Sequence, residues 1–239
     1  MSGHSHAKKI KHDKAITDKK RGQIFSKLSQ EISLAAKEGI DPNINAKLRL
    51  VLEKAKKWNM PGGNIERAIK RGGGGTESEN LIEIAYEAYG PGGIAMIITG
   101  ITDNKNRTLS EIKQILNQYD GKLAREGSVK WLFEKKGVIT TTVEDLQDKE
   151  KSAMAAIEAG ADDIYWEENV LNIYTAPELL EEVKKNLEAK NIKIDSASSD
   201  WVTKETVPAD EKTKETCQKL FDALDENDSV QEVYYNIDL

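Results

Sequence analysis

Four consecutive glycines, Gly72–Gly75, separate two stretches of different periodicity, and this change of period constrains the fold more than any other feature of the 239-residue chain. On the N-terminal side apolar residues recur every three to four positions, the spacing of helices with one buried face. On the C-terminal side short alternating runs of strand period are interleaved with helical segments. A chain of this length accommodates two or three separate cores.

Residues 1–22 hold seven Lys/Arg, all three histidines and two widely spaced apolar side chains, Ile10 and Ile16, so they read as a basic flexible arm without a core of its own. From Gln23, the series Ile24, Leu28, Ile32 and Ala35 predicts a helix that stops at Gly39. A second helix starts around Asn43 or Asn45, with Ile44, Leu48, Val51, Leu52, Ala55 and Trp58 on its buried side. A third starts near Pro61 and turns Ile65, Ala68 and Ile69 inward. Three such helices make a small bundle over residues 23–75. The tetraglycine and the polar residues after it read as a flexible connection. No strand precedes it and no Gly-Lys-Ser/Thr follows, so a phosphate loop is the poorer reading.

Beyond the connection, residues 81–89 and 94–102 read as strands joined by the Gly90–Gly93 turn, followed by a helix from Thr108 with Glu111 completing a capping box. Residues 128–133 read as a strand with Val129, Trp131 and Phe133 on one face. Residues 137–202 then read as βαββαβ, the order of a ferredoxin-like split motif. A last helix to about Leu224 and a strand over 229–237 cannot stand alone, but they complete a second sandwich if they return to residues 94–133. The expected architecture is therefore α+β and multidomain. A three-helix bundle is followed by two ferredoxin-like α/β sandwich domains, one of 76–134 plus 204–239 and the other, 135–203, inserted in it.

The net charge of −6 conceals a division. Residues 1–75 carry 17 Lys/Arg against 7 Asp/Glu, a net +10, and the remainder is net −16. A cationic third suits phosphate, while an acidic remainder limits indiscriminate binding. The single cysteine, Cys217, excludes a disulfide framework and the usual thiolate zinc cluster, which fits a reducing compartment. The densest apolar stretch, Ile94–Ile98, is too short to span a bilayer, and the basic N-terminus has no apolar run after it, so a cytoplasmic location is expected.

The first candidate site is the arm, Lys8, Lys9, Lys11, Lys14, Lys19, Lys20 and Arg21, a cationic segment able to follow a nucleic-acid backbone; the bland alternative is a solvated tail. Arg67, Lys70 and Arg71 share one helix face at i, i+3 and i+4 and are the second, against an ordinary solvent face. Lys105, Arg107, Lys122 and Arg125, read as loop residues at one end of the first sandwich, extend that surface or are simply solvated. Tyr165, Trp166 and Tyr174 have the residue types of a base-stacking sheet, but residues 137–203 are net −9, so core packing or a protein partner is the better reading. Acidic neighbours such as Glu181-Glu182 read as solvated helix faces. His4, His6 and His12 lack metal-ligand spacing, and only Ser2-Gly3-His4, once Met1 is removed, has the donors for square-planar Cu(II) or Ni(II). No catalytic constellation, cofactor site or small-molecule substrate is legible, and a non-enzyme is expected.

A series of short motifs runs in order through the first 140 residues: Met1-Ser2-Gly3-His4-Ser5, Lys20-Arg21-Gly22, Asn59-Met60-Pro61, Asn64-Ile65-Glu66-Arg67-Ala68-Ile69-Lys70-Arg71-Gly72, Tyr89-Gly90-Pro91-Gly92-Gly93, Thr102–Thr108 and Gly127-Ser128-Val129. In this series the chain resembles the YebC family. The resemblance implies a helical domain followed by two α+β domains, the last inserted. It also implies a regulator of gene expression. Bacterial relatives are described as probable DNA-binding transcriptional regulators, mitochondrial relatives as translational activators, and some bacterial ones as ribosome-associated. The expected partner is thus DNA or ribosomal RNA, with a protein-interaction adaptor using the acidic domains as the alternative.

Overall fold

The computed structural model describes residues 18–74 and 80–238. Its first helix, α1 (Asp18–Ala35), buries Leu28, Ile32 and Ala35 and partly buries Ile24 and Phe25. It starts five residues before the expected position, so the root of the arm, Asp18–Gly22, is helical. The chain turns at Gly39 into α2 (Ala46–Lys57), which Asn45 caps by accepting the Leu48 N–H at 3.0 Å. The Asn45 amide also donates to the carbonyls of Ala35 and Gly39, both at 2.8 Å, so one buried side chain closes the end of α1 and opens α2. Ile44 was expected on the buried side of α2. It lies in the turn before it and is 86% exposed.

The third helix, α3 (Gly62–Gly72), follows Pro61, which stands at its N-cap. Its far end corrects the reading of the tetraglycine as a linker throughout. Gly72 is a buried helical residue pressed on α1, and a Cβ there would overlap the Ser33 carbonyl oxygen and the Ala36 methyl. The Ser33 hydroxyl donates to the Ala68 carbonyl at 3.0 Å across the same contact. Helices this close need a residue without a side chain at the crossing.

Two four-stranded antiparallel sheets follow. The first is built from β1 (Ile82–Tyr89), β2 (Ala95–Thr102), β3 (Lys122–Leu123) and β8 (Val230–Tyr235), in the order β3-β1-β2-β8. Helix α4 (Lys105–Gln118) connects β2 to β3 on the far side of β1, and α7 (Glu211–Asp225) precedes β8. Ile112 and Leu116 of α4 and Cys217, Leu220, Phe221 and Leu224 of α7 cover one face of this sheet. Helix α4 begins three residues before the expected Thr108, because Asn104 caps it through the Arg107 N–H at 3.1 Å. The Thr108 hydroxyl instead bonds Thr102 at 2.9 Å, and Glu111 accepts from Asn227 at 2.9 Å.

The second sheet is formed by β4 (Phe133–Thr142), β5 (Asp163–Glu167), β6 (Val170–Thr175) and β7 (Ser196–Thr203), with α5 (Leu146–Ala159) and α6 (Leu180–Ala189) on one face. Its order β5-β6-β4-β7 is that of the split βαβ motif. This unit interrupts the first sheet at low cost because its ends are neighbours: Phe133 pairs with Thr203, and the Lys204 N–H donates to the Leu132 carbonyl at 2.9 Å. After it, β8 returns beside β2. Asn236 locks the return, its side-chain oxygen accepting the Ala95 N–H at 2.8 Å.

The expected strand over 128–133 is a tight turn instead. Lys130–Leu132 form one turn of 3-10 helix and the strand begins at Phe133. The cause is Glu87 on β1, whose carboxylate accepts the N–H groups of Gly127 at 2.5 Å, Val129 at 2.6 Å and Lys130 at 2.9 Å. Three donors converging on one carboxylate curl the backbone and take up amides that a strand would offer to a neighbour. Val129 and Phe133 are buried as expected, whereas Trp131 is 65% exposed.

Replacing Gly72 with Ala should destabilise the protein by about 1–3 kcal/mol in denaturant unfolding, through overpacking at the α1–α3 crossing. Gly63→Ala, in the same helix with open space around it, should be neutral or stabilising by up to about 1 kcal/mol. Equal effects of the two changes would contradict the crossing.

Partial burial opposes ionisation of Glu87, but the amides of Val129, Gly127 and Lys130 outweigh it and hold the carboxyl below the ordinary value of 4.5. A depressed folded-state pKa contributes stability above the ordinary glutamate value and loses it as pH falls through the folded value. The amide chemical shifts of Gly127, Val129 and Lys130 should therefore titrate together, with a midpoint below 4.5, and Glu87→Gln should abolish that transition.

Candidate nucleic-acid interface

The basic bundle spends part of its charge inside the molecule. On α2, Arg49 donates to one oxygen of Glu181 on α6 from Nε at 3.1 Å and from Nη2 at 2.5 Å. Glu181 is thus an anchor, which corrects its reading as a solvated helix residue. Lys184 of α6, itself buried, reaches back to Glu53 of α2 at 2.5 Å. Lys57 donates to the carbonyls of Ile194 and Asp195 just before β7, and Leu50 packs against the core of the second sheet. Lys54 meets Glu31 of α1 at 3.0 Å and Glu232 of β8 at 3.8 Å. On α1, Lys27 donates to the Asp225 carboxylate at 3.0 Å and to its carbonyl at 2.7 Å. None of these cations is available to a phosphate without first giving up a partner.

The second candidate site is exposed, as are Lys56 of α2 and Lys47, which pairs with Glu38 at 2.5 Å within the bundle. Arg67, Lys70 and Arg71 project from the second half of α3 into solvent. Among the described residues Arg67 hydrogen-bonds within its own helix, to the Gly63 carbonyl at 3.0 Å and to the Asn64 side chain. Lys70 and Arg71 have no hydrogen-bond or ion-pair partner among the described residues. Lys70 and Arg71 also occupy the last turn of the helix, where positive charge is favoured by the helix dipole.

Lys8, Lys9, Lys11 and Lys14 lie outside the described residues, as do Ser2-Gly3-His4 and the other two histidines. Lys19, Lys20 and Arg21 fall in the first turn of α1, where Lys20 and Arg21 are exposed. The structure does not bring this turn to the α3 cations. Gly72 presses on Ser33, twelve residues further along α1, which puts the two groups about 18 Å apart along the helix.

The four extension residues do not share one end of the sandwich. Lys105 and Arg107 are in the first turn of α4, and Arg107 is held by Asp103 at 2.7 Å and Glu111 at 3.8 Å. Lys122 is in β3, beyond the other end of α4, with Arg125 in the turn that follows. The length of α4, about 20 Å, keeps the pairs apart. Tyr165, Trp166 and Tyr174 likewise form no common platform: Trp166 packs on the helix-covered face with Lys149 over its ring at 5.2 Å, and Tyr174 is buried. Sequence reasoning passed over Trp131 as a core residue; the signal for its exposure is the carboxylate at Glu87, distant in sequence.

Cys217 is buried under α7, which pushes its thiol up to about 11 and leaves it protonated at neutral pH. Among the described residues no group of three His, Cys, Asp or Glu is placed to hold a metal, and no helix is long and apolar enough to cross a membrane.

Residues 5–75 match the family model of the TACO1/YebC N-terminal domain, and residues 81–237 match that of the TACO1/YebC second and third domain. A probable transcriptional regulatory protein of Dehalococcoides mccartyi is 47% identical over the whole chain and 95% of its own length. One of Thermoanaerobacter pseudethanolicus is 45% identical over the whole chain and 98% of its own length. The crystal structure of a conserved hypothetical protein of Aquifex aeolicus superposes with a TM-score of 0.88 at 44% identity, covering 96% of this chain and 95% of that one. Full-length relatives at this identity, a shared α+β fold and two family models that adjoin across the glycine-rich segment lead to one conclusion: the chain belongs to the TACO1/YebC family.

Proposed function

We propose that this protein is a non-enzymatic regulator of gene expression that binds nucleic acid through its helical third. The observation that carries the reading is the division among the bundle's cations. On α2, Arg49, Lys54 and Lys57 reach carboxylates or carbonyls of the α+β units, whereas Arg67, Lys70 and Arg71 stand exposed with no acidic partner among the described residues. They supply a rigid cationic helix end, and the basic residues Lys8 to Arg21 supply a second contact that follows a phosphate backbone. In this division of labour residues 1–71 meet the nucleic acid, and the α+β domains position them or meet protein.

The same helix argues about the kind of nucleic acid. A recognition helix reads base edges in the major groove from its N-terminal residues. Here that end is Gly62-Gly63-Asn64, with no long side chain to reach a base, and the charge sits at the other end. Backbone contact without base readout suits folded RNA on the ribosome, and a role in translation is preferred to sequence-specific transcription control. A second reading rests on Met154 and Ile157, adjacent on the outer face of α5 and 63% and 64% exposed. A protein partner at the acidic domain would cover them, and its retention in pull-downs after nuclease and high-salt treatment would identify an adaptor.

Substituting Arg67, Lys70 and Arg71 together with Gln should weaken binding to ribosomal RNA and DNA fragments alike. It should also flatten the plot of log K against log salt by about 2 to 3, at about 0.7–0.9 per phosphate contact. An unchanged slope and affinity would remove α3 from the interface. Co-sedimentation with ribosomes, lost in the same variant, is expected for the translational reading; promoter enrichment without co-sedimentation would reverse it.

A further inference from the structure

The turn between the two sheets is an island of positive charge in an acidic landscape. Residues 122–136 carry Lys122, Arg125, Lys130, Lys135 and Lys136 against Glu126 and Glu134, while the chain beyond residue 75 is net −16. Lys136 is held by Glu134 at 3.6 Å. Lys122, Arg125, Lys130 and Lys204 are all exposed. Among them stands Trp131, the largest apolar side chain in this turn, 65% exposed.

This tryptophan is held rather than loose. Its indole N–H donates to the Ser128 carbonyl at 3.0 Å, so its one polar atom is satisfied within the turn. Its own carbonyl accepts from Lys204 Nζ at 3.0 Å. The Ser128 carbonyl also accepts from the Tyr89 hydroxyl at 3.3 Å, the Glu87 carboxylate grips the turn through three amides, and Val129 is fully buried beneath it. A large ring fixed in this way loses little conformational freedom when something covers it.

The cations around it are fixed as well. Lys130 lies over the Trp201 ring at 5.3 Å and Lys122 over the Tyr89 ring at 6.0 Å. A ring contact leaves ammonium protons free to donate outward. A rigid exposed aromatic ringed by cations matches the two parts of an unpaired nucleotide, a base with a π-face and a phosphate. A duplex cannot use it, because its bases already stack on each other.

We propose that Trp131 is a stacking platform for an unpaired base of single-stranded nucleic acid, with Lys122, Arg125, Lys130 and Lys204 contacting the flanking phosphates. This second contact rests on the nucleic-acid reading above but on a different element, the turn before β4 rather than α3. The Trp131 end of β7, at Thr203, lies about 26 Å along the strand from Asp195, where Lys57 grips it.

The full chain and its Trp131→Ala, Trp131→Phe and Lys130→Gln/Lys204→Gln variants would be titrated with a 12-nucleotide oligouridylate, the matching oligothymidylate and a 12-base-pair duplex. The exposed position of Trp131 leaves the fold intact in both tryptophan variants, which a thermal melt checks. Trp131→Ala should weaken both single strands by about 5- to 100-fold and leave the duplex within twofold. Trp131→Phe should recover most of that loss, and the lysine pair should lower the salt slope by about 1 to 1.5. Single-strand binding by Trp131→Ala equal to the parent would overturn the platform, as would an equal loss on the duplex. The Arg67/Lys70/Arg71 variant separates the two ideas. If it alone loses binding, the α3 interface stands and the platform falls; if the parent binds none of the three probes, both fall.

Discussion

Lys54 reaches Glu31 on α1 at 3.0 Å and Glu232 on β8 at 3.8 Å, and the Asp200 carboxylate of β7 adds to the field around it. Asp200 in turn accepts the Tyr234 hydroxyl of β8 at 3.0 Å. The bundle, the first sheet and the inserted sheet therefore meet at one ammonium. Its burial opposes the charge, but Glu31 and Glu232 outweigh that and raise its pKa, so it remains charged throughout the working range. Loss of this charge would leave carboxylates from two units facing each other without a counter-ion. Such a network is worth more than isolated surface pairs, which contribute about 0–1 kcal/mol each.

The position of Lys54 changes the meaning of the charge asymmetry. A +10 third joined to a −16 remainder reads from sequence as a nucleic-acid surface beside a solubilising one. Lys27, Arg49, Lys54 and Lys57 instead reach residues beyond the glycine-rich segment, so part of the complementarity is internal. The bundle docks on the acidic units by the same attraction that would draw it to phosphate. This places a constraint on any nucleic-acid complex: phosphates would compete with carboxylates at Arg49 and Lys54 of α2, whereas Lys70 and Arg71 of α3 have no acidic partner among the described residues.

The elements that could be read from sequence are those set by local pattern. The helical series of α1 to α3, the Gly90–Gly93 hairpin and the βαββαβ order of the inserted sheet depend on spacing within a few residues, and they appear where the periodicity puts them. Three departures have distant partners, whereas the early start of α4 comes from a local cap at Asn104. Residues 128–132 carry a strand-like alternation, but a carboxylate forty residues away captures their amides. Glu181 has the composition of a solvated helix face, and its role comes from Arg49, 132 residues earlier. Gly72 looks like linker because nothing near it in sequence announces the α1 backbone against which it packs. The basic residues of the bundle were legible as residue types; that Lys27, Arg49, Lys54 and Lys57 are occupied was not, because their occupants include residues of the other units.

Distance and screening then govern how the remaining cationic surfaces act. The end of β7 gripped by Lys57 and the end beside Trp131 are separated by about 26 Å, some three times the Debye length of about 8 Å at physiological salt. Screened over that length, charge beside Trp131 is little felt where Lys57 of the bundle grips the strand. The inserted domain, net −9 over residues 137–203, disfavours a phosphate backbone along its surface. On the proposed reading, a strand long enough to reach both patches would gain the effective concentration of a tethered second site, whereas a short one would occupy either patch singly and weakly. Discrimination in the proposed arrangement would come from the length and unpaired character of the nucleic acid rather than from its sequence, which is consistent with a bundle whose helix presents glycines where a base-reading residue would stand.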